Sequence, residues 1–540
     1  MKRVLLICVA LVVACVAMAA ECMIVPRPVS YEPQKGKCVL SPNTVVYVAD
    51  KSLVRPATMF CSNIEGEKGL KLSVVGVEPK GKGNIVLVVD STLAEEAYTL
   101  VVAKSGVTIK GGSEKGVFYA LQSLRQVVFH AKSKGKKVEL PCMVVEDKPH
   151  FGYRGGMLDV CRHLFSVDEV KKFIDILALH KMNRFHWHLT EDQGWRIEIK
   201  KYPNLTKVGA MRKETAIGLH SSKITPKYDG KPYGGFFTQD EVRDIVRYAS
   251  ERYIEVIPEI DMPGHMVAAL ASYPHLGCTQ GPYEVRTRWG ISKDVLCAGR
   301  ESTFEFVEGV LDEILELFPS KYIHVGGDEC PKHRWKQCPE CQKRIANEGL
   351  KDEHELQSYF MLRVEKYLSK NGRQLIGWDE ILDGGISKTA TIMAWRGANR
   401  GIKAAQLGNQ VIMTPRHYCY LDYCQTSDHD GNNEPLCAAG NGKRYQMPIR
   451  KVYSFDPYDK LNEEERKVIV GVQGNMWTEY VATFDHVQHM TLPRLVAIAE
   501  VGWTYGEKNF DDFTRRMHLL RKLYDKCGFK YAPYFFNGIE

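Results

Sequence analysis

Two acidic residues stand side by side at Asp328 and Glu329, directly after Gly326 and Gly327 and an apolar, strand-like run. Neighbouring side chains of a regular strand point in opposite directions, so a strand alone cannot aim both acids at one atom. Past the strand end the glycines free the backbone, and both acids can then reach one pocket. The pair therefore predicts a site of acid–base chemistry.

Chemically capable side chains also follow the other predicted strands. Each strand end carries an acid, a histidine, an arginine or an aromatic residue: Asp159, Arg162 and His163; Glu191 and Asp192; Asp261 and His265; Trp378, Asp379 and Glu380; Trp395 and Arg396; Tyr420 and Asp422; Trp477 and Glu479. One such acid usually caps a helix or stays solvated, but coincidence at every end favours a shared site. The tryptophans indicate a sugar ligand, because an indole ring and the CH-rich face of a sugar bury each other well.

The adjacency of the two acids also bears on mechanism. The two carboxylates of an ordinary glycosidase face each other across the scissile bond, about 5 Å or more apart. Adjacent acids fit better if one protonates the leaving oxygen while the other serves a nucleophile that belongs to the substrate.

Eight apolar segments are predicted to be the strands that position these side chains. They span 153–160, 183–189, 254–260, 322–325, 374–377, 390–395, 410–414 and 468–473, and most are followed by a helical pattern. This alternation predicts a (β/α)8 barrel, whose active site lies at the carboxyl ends of the strands. A stretch rich in Gly, Asn and Pro, 424–464, predicts a long loop near the seventh strand.

Three of the predicted helices, 166–181, 238–253 and 302–318, open with a capping box, in which a Ser or Thr precedes a Glu by three residues. A small α+β domain is predicted before the barrel, with short β-branched runs and a helix at 116–130. The expected division is a leader at 1–21, the α+β domain at 22–148 and the catalytic barrel at 149–540.

These blocks resemble one family, the family 20 glycoside hydrolases or β-N-acetylhexosaminidases. The matching segments are His324-Val-Gly-Gly-Asp328-Glu329, Asp159-Val-Cys-Arg162-His163, His186-Trp-His188-Leu-Thr-Glu-Asp192, Pro258-Glu-Ile-Asp-Met-Pro-Gly264-His265, Gly474-Asn-Met-Trp477-Thr-Glu479 and, in the first domain, Gly116-Val-Phe-Tyr-Ala-Leu-Gln-Ser-Leu-Arg125. The resemblance extends to about Thr504. It implies an exo-acting, retaining enzyme in which the 2-acetamido oxygen of the sugar attacks the anomeric carbon and forms an oxazolinium ion.

The resemblance also implies a role for each residue. Glu329 would be the general acid and then the base, and Asp328 would orient the acetamido group. The other implied contacts are Tyr420 to the acetamido oxygen; Trp378, Trp395 and Trp477 around the acetamido group; Arg162, Asp422 and Glu479 to sugar hydroxyls; and the pair Asp192 and His265 behind Glu329. Many members have two aspartates where this chain has Glu191 and Asp192, and the role is carried over to Asp192. No cofactor and no catalytic metal are expected.

The first residues have the pattern of an export signal. Lys2 and Arg3 precede an apolar run at 4–16 and the small residues Ala17 and Ala19, which fits cleavage after Ala19. A bacterial lipoprotein box ending at Cys15 is the second interpretation, and it would tether the protein to a membrane by a lipid. The expected location is the periplasm or the cell surface. The net charge of +8 includes no long basic run, and no nucleic-acid partner is expected.

Sixteen cysteines leave the disulfide pattern open. Cys278 and Cys297 are a plausible local pair. Cys330, His333, Cys338 and Cys341 have spacings that could hold zinc, although an exported protein favours a disulfide and buried free thiols instead.

Three other functions remain open at this point. A lacto-N-biosidase-like enzyme, which releases a disaccharide, needs a roomier pocket. A carbohydrate-binding protein without activity has no need of an adjacent acid pair. A zinc protein built on Cys330, His333, Cys338 and Cys341 would respond to metal removal.

Overall fold

The structure, a computed structural model, describes residues 21–219, 225–426, 437–440 and 443–539, without side-chain detail at 439, 440, 443 and 444. The predicted leader up to Ala20, Cys15 included, lies outside these residues, as does part of the predicted loop at 424–464. Among the helices of the described residues, none has the length and apolar composition needed to cross a membrane.

The first part of the chain folds into a mixed sheet. Its strands β1 to β8 are Ser30–Leu40, Val45–Val48, Ser73–Val75, Asn84–Val89, Tyr98–Ala103, Gly106–Gly111, Lys132–Lys134 and Lys137–Asp147. They lie in the order β1-β8-β5-β6-β4-β2-β3, and β7 pairs with β8. Alternate residues of β5, such as Leu100 and Val102, are buried beneath helix α2 (Glu114–His130), which packs against helix α1 (Val54–Lys68).

Eight parallel strands then close into a barrel within the described residues. These strands, β9 to β16, are Tyr153–Asp159, Arg184–His188, Glu255–Glu259, Tyr322–His324, Gln374–Trp378, Thr391–Ala394, Val411–Met413 and Ile469–Met476. Each pairs with the next in chain order, and β16 pairs with β9 to close the ring. Helices cover the outside, so both faces of most strands are buried, and buried polar residues such as His186 and Glu259 lie among the apolar ones. The predicted (β/α)8 fold is confirmed.

The longer helices that follow are α3 to α11: Val167–Leu179, Gln239–Ser250, Glu301–Leu317, Pro339–Asn347, Glu353–Lys370, Ala398–Gln406, Phe484–Thr491, Arg494–Trp503 and Phe510–Cys527. Shorter helices are Asn204–Lys207, Val267–Ser272, His333–Gln337, Arg416–Cys419, Ile449–Tyr453 and Glu463–Arg466. Two-stranded hairpins in the loops pair Thr190–Glu191 with Gly194–Trp195, Met211–Arg212 with Tyr233–Gly234, Ala216–Ile217 with Lys227–Tyr228 and Ala439–Gly440 with Lys443–Arg444.

Two of the three predicted capping boxes are present, at Ser166 before α3 and at Thr238 before α4. The third prediction is wrong. Helix α5 already begins at Glu301, after Arg300, which makes no side-chain cap. Glu301 pairs with Arg344 and Arg363 from α6 and α7. Contacts between helices therefore accompany this helix start in place of a local cap.

The cysteines pair differently from the sequence prediction. Cys278 and Cys297 are not bonded to each other, and neither Cys330 nor His333 joins Cys338 and Cys341. Instead, Cys278 and Cys297 lie beside Cys338 and Cys341 in one four-sulfur group. Spacing along the chain missed this set because 41 positions, which include α5 and β12, separate Cys297 from Cys338. A disulfide joins Cys424 to Cys437.

Candidate active site

A cavity of about 170 Å³ opens at the carboxyl ends of the barrel strands. The side chains that line it are Arg162, Glu191, Asp261, His265, Asp328, Glu329, Trp395, Tyr420, Asp422, Tyr423, Trp477 and Glu479. Most of the residues selected from the sequence are therefore brought together here. Asp192 and Trp378 are absent from this lining.

The backbone after β12 explains how both adjacent acids reach the cavity. Gly326 and Gly327 have φ of 66° and 93°, and Glu329 itself has φ of 43°. Residues in this left-handed conformation break the alternation of a strand. The conformation suits the two glycines, whereas a residue such as Glu329 rarely adopts it because it is strained. A Cβ on Gly326 would lie 1.7 Å from Asp261 Oδ1, so glycine is needed there. The chain turns so that Asp328 and Glu329 both face the cavity.

Asp328 is a buried acid that lacks a full set of partners. Its Oδ1 atom has no hydrogen-bond partner among the residues that the structure describes. Burial raises the pKa of Asp328 to about 7, the charge of Glu329 adds to the rise, and His265 opposes it. A buried carboxylate oxygen without a donor is costly, so this atom is suited to receive an N–H from a ligand.

His265 is held beside the two acids by Glu191. Its Nδ1 lies 2.8 Å from Glu191 Oε1, while its Nε2 lies 3.8 Å from Asp328 Oδ2 and 3.6 Å from Glu329 Oε2. Burial lowers the pKa of His265, but Glu191 and the other nearby acids outweigh it and raise the pKa well above its usual value. The imidazole is therefore a cation placed between Glu191 and the acid pair.

Asp192 was expected to pair with His265, but in the structure it is Glu191 that contacts His265. Asp192 accepts from Arg286 Nη1 at 2.9 Å and from the Val267 N–H at 3.0 Å, away from the cavity. The physical reason is the hairpin in which Thr190–Glu191 pairs with Gly194–Trp195. Consecutive residues of that hairpin face opposite sides, so only one of the two acids can face the pocket.

A second polar group lines the opposite side of the cavity. Arg162 donates from Nη1 to Asp159 at 3.2 Å and from Nη2 to Glu191 at 2.9 Å, and Nη2 lies 3.8 Å from Glu479. Asp422 Oδ1 has no hydrogen-bond partner within the described part of the chain. Burial raises the pKa of Asp422 well above its usual value, and the charge of Glu479 adds to this rise. Acceptors and a cation so arranged suit the hydroxyls of a sugar.

Aromatic rings form the remaining wall. Trp395 stacks on Tyr420 with ring centres 5.9 Å apart and planes 16° apart, and Tyr420 lies 6.2 Å from Trp477. The indole N–H of Trp477 has no acceptor in the described residues. Trp378 is 1% exposed and lies behind Trp477, with ring centres 5.9 Å apart. It supports the wall from inside the barrel.

Beneath the cavity, Glu259 lies at the centre of a fully buried cluster. His188 Nδ1 and His186 Nε2 lie 2.6 and 2.8 Å from its Oε2 atom. Trp378 Nε1 donates to its Oε1 at 2.8 Å, and His324 Nδ1 lies 3.1 Å from the same oxygen. Burial raises the pKa of Glu259, but the three histidines outweigh it and lower the pKa well below its usual value.

Two cavity residues, Glu191 and Asp261, were noted at strand ends but given no role in the site, and a third, Tyr423, was not noted at all. Asp261 follows β11 within the block that ends at His265, so its place at a strand end already predicted that it would lie near the cavity. Burial and the charge of Asp328 raise the pKa of Asp261 well above its usual value. Glu380, beside this group, has a pKa raised to about 8 by burial and by Asp328, and it accepts from Trp395 Nε1 at 2.9 Å.

Two side-chain groups at the cavity have the spacing of metal ligands: Glu191, Asp261 and His265, and also His265, Asp328 and Glu329. Both include His265, whose raised pKa keeps the ring protonated. A protonated imidazole has no lone pair to give to a metal. The cavity is therefore better suited to proton transfer and sugar binding than to metal binding.

Comparison with known families gives a consistent result along the chain. The model described as "Glycosyl hydrolase family 20, catalytic domain" matches residues 151–505, and the model for domain 2 of the same family matches residues 21–148.

Named relatives match most of the chain. A "Beta-hexosaminidase" of Porphyromonas gingivalis is 45% identical over 518 residues, which cover 94% of this chain and 64% of the relative. The chain thus spans less than two thirds of that protein. A "Beta-N-acetylhexosaminidase" of Cellulomonas fimi is 30% identical over 518 residues, which cover 94% and 95% of the two chains.

Solved structures match in the same way. An exo β-N-acetylglucosaminidase of Vibrio harveyi, in complex with N-acetylglucosamine, has a TM-score of 0.82 and 32% identity, with 95% of this chain and 78% of that chain covered. A β-N-acetylhexosaminidase of Bacteroides fragilis has a TM-score of 0.78 and 32% identity, with 94% and 97% covered.

Proposed function

The chain belongs to glycosyl hydrolase family 20, and on that premise we propose that it is an exo-acting β-N-acetylhexosaminidase. It removes terminal, non-reducing β-linked N-acetylglucosamine or N-acetylgalactosamine from glycans. The names of its relatives support this activity. The cavity of about 170 Å³ lies below the range of about 300 to 1,000 Å³ that is usual for larger ligands. Its size favours one sugar ring over the disaccharide that a lacto-N-biosidase releases.

The observation that carries the proposal is the pairing of Asp328 with Glu329 at one cavity. Asp328 Oδ1, buried and without a donor among the described residues, accepts the N–H of the 2-acetamido group. This contact directs the acetamido oxygen at the anomeric carbon. The oxygen forms a bond to that carbon as the glycosidic bond breaks, and the ionised Asp328 stabilises the positive charge on the resulting oxazolinium ring.

Glu329 transfers the protons. Its carboxyl donates a proton to the departing glycosidic oxygen, and its carboxylate then removes a proton from the water that opens the oxazolinium. His265 Nε2 lies 3.6 Å from Glu329 Oε2 and holds this carboxyl at the cavity. Retention of the β configuration follows, because the anomeric carbon is attacked twice from opposite sides.

The remaining residues hold the sugar. Tyr420 donates to the acetamido oxygen, and Trp395 and Trp477 enclose the acetamido methyl with Trp378 behind them. Arg162, Asp422 and Glu479 bind the hydroxyls. A site built to pair these hydroxyls discriminates strongly against ligands that lack them, because its buried polar groups would be left unpaired.

The experiment that tests this proposal uses aryl β-glycosides of glucosamine with N-acetyl, N-fluoroacetyl, N-difluoroacetyl and N-trifluoroacetyl groups. We expect the rate to fall with each fluorine, because fluorine withdraws electrons from the acetamido oxygen. A rate that is insensitive to fluorine would place the nucleophile on the protein. Product analysis on defined glycans is the parallel measurement, with release of disaccharide units as the contrary result.

We also propose that the chain is exported to the periplasm or the cell surface. The support is the pattern of Lys2, Arg3, the apolar run at 4–16 and Ala17-x-Ala19. Cell fractionation with antibody detection tests export, and protein confined to the cytoplasm would contradict it. Metabolic labelling with a fatty acid, compared between the natural chain and Cys15→Ala, distinguishes a lipid-tethered protein from a cleaved one.

A further inference from the structure

Four cysteine sulfurs from two separate loops meet beside the barrel. They are Cys278 and Cys297, from the connection between β11 and α5, and Cys338 and Cys341, from the connection between β12 and α7. The Sγ–Sγ distances are 3.8 Å for Cys278–Cys341, 3.7 Å for Cys297–Cys338 and 3.6 Å for Cys297–Cys341. All four sulfurs lie within 4.8 Å of one another.

These distances fit a tetrahedron with a metal ion at its centre. Zn–S bonds are about 2.3 Å long, and the corners of a regular tetrahedron of that radius are about 3.8 Å apart. Four thiolates in this arrangement are the ligand set of a closed, structural zinc site. We propose that Cys278, Cys297, Cys338 and Cys341 bind one Zn²⁺ ion that stabilises the loops around the active site.

The local backbone is built to bring the sulfurs together. Cys338-Pro339-Glu340-Cys341 forms the first turn of α6, with Cys338 at the N-cap, which places two sulfurs on one turn. In the other loop, an isolated antiparallel bridge joins Gly277 to Leu296 and brings the neighbouring Cys278 and Cys297 close to each other. The loops touch at Gly299, where a Cβ would lie 2.2 Å from the Glu340 carbonyl carbon.

The group is largely shielded from solvent, as a closed structural zinc site is, and cations lie near it. Cys297, Cys338 and Cys341 are buried, and Cys278 is partly buried. Two cations border the group: Arg300 donates to the Gly277 carbonyl at 2.9 Å and Arg344 to the Gly299 carbonyl at 3.3 Å. They offset the negative charge that remains when four thiolates bind one Zn²⁺ and release their protons.

The proposed ion would link the two loops that carry the catalytic groups. One loop holds His265, and the Leu296 N–H donates to the Pro263 carbonyl at 2.9 Å within it. The other begins directly after Glu329. Trp335, in this second loop, donates from Nε1 to the Leu296 carbonyl of the first loop at 2.8 Å. The ion is thus structural, and it holds His265 and Glu329 in place from outside the cavity.

Metal analysis of the purified full-length protein tests the proposal. The chain is reduced, incubated with Zn²⁺ and freed of excess metal, and we expect about one zinc per chain. Cys278→Ser and Cys341→Ser should each lose this zinc and lower the melting temperature. Cys61→Ser, a buried free cysteine of the first domain, and His333→Ala, a residue of the set suggested by spacing, should both keep it.

A second measurement covers the case in which the serine variants do not fold. The natural chain loaded with Co²⁺ should show the intense visible absorption of tetrahedral, thiolate-bound cobalt, and Zn²⁺ should displace it. The proposal is overturned if the reduced natural chain takes up neither metal. Peptide mapping that finds the four cysteines in two disulfides after metal loading would overturn it as well.

Discussion

Two buried carboxylates in neighbouring layers of the barrel show opposite behaviour. Glu259, beneath the cavity, has close partners on both oxygens, and its pKa is lowered well below the usual value. Asp328, at the cavity, has one oxygen without a hydrogen-bond partner in the described ranges, and its pKa is raised to about 7. Glu259 is fully buried and the Asp328 side chain is only 13% exposed, so burial alone does not decide the direction of the shift.

The surroundings decide it. Histidines and an indole N–H face Glu259, whereas Glu329 and other acids face Asp328. A carboxylate with all its partners stabilises the fold and has no capacity left for a ligand. A carboxylate without them costs stability and is free to bind one. The same residue types therefore support the barrel in one layer and, in our proposal, perform chemistry in the next.

The largest expected effect is on the chemistry that we propose for the acids at the cavity. Glu329→Gln removes the proton donor, so kcat on an unactivated glycoside should fall by about 10²- to 10⁴-fold, as general acid catalysis is worth that much. Steady-state kinetics with a natural disaccharide checks this, and the melting temperature should stay the same.

The matched control for Glu329→Gln is the leaving group. A strongly activated aryl glycoside needs little protonation, so the first step should be much less impaired with it. An equal loss on both substrates would show that Glu329 does not act as the acid.

In the layer beneath the cavity, the expected effect is on the free energy of unfolding. Glu259→Gln removes the charge around which three histidines and Trp378 are arranged, and breaking a buried ionic cluster costs about 3 to 5 kcal/mol. Because the pKa of Glu259 is lowered in the folded chain, its contribution is present at neutral pH and is lost as the pH falls through the folded value. Chemical denaturation at several pH values should show the gap between variant and natural chain closing in acid.

Asp328 should show the opposite dependence on pH. With a pKa of about 7, it is ionised only above that pH, so kcat/KM should fall about tenfold per pH unit below 7. Asp328→Asn should lose this inflection. The pKa of Asp328 is higher in the folded chain than the ordinary 3.8, so ionisation opposes folding increasingly as the pH rises from that value to about 7. The same variant should therefore gain more melting temperature over the natural chain at pH 8 than at pH 5. A lower melting temperature at pH 8 would contradict this interpretation of the cavity layer.

The barrel was predictable because strand-like runs alternate with helical patterns along this part of the chain. Observed strands such as Arg184–His188 and Glu255–Glu259 lie inside the ranges expected from the sequence. The helix start at Glu301 was not, because its ion pairs come from helices far along the chain. The four-cysteine group was not predicted for the same reason, since its halves meet only in the folded chain.

The predicted pairing of Asp192 with His265 was wrong for a different reason. Two consecutive acids have the same chemistry, and which of them faces the pocket depends on the hairpin after β10, a feature that composition and spacing do not fix. Residues on the regular strands are thus easier to place from the sequence than residues on the loops that the strands carry.

The smallest expected effect distinguishes the role of Glu191 from that of Asp192. Glu191→Gln removes the charge that keeps His265 protonated, and a shift of one pKa unit is worth about 1.4 kcal/mol. We expect kcat/KM to fall about tenfold and its pH profile to move. Asp192→Asn loosens only the contact with Arg286, so it should lower the melting temperature slightly and leave the pH profile in place. The reverse result, with the profile moved by Asp192→Asn alone, would restore Asp192 as the partner of His265 and contradict the hairpin register.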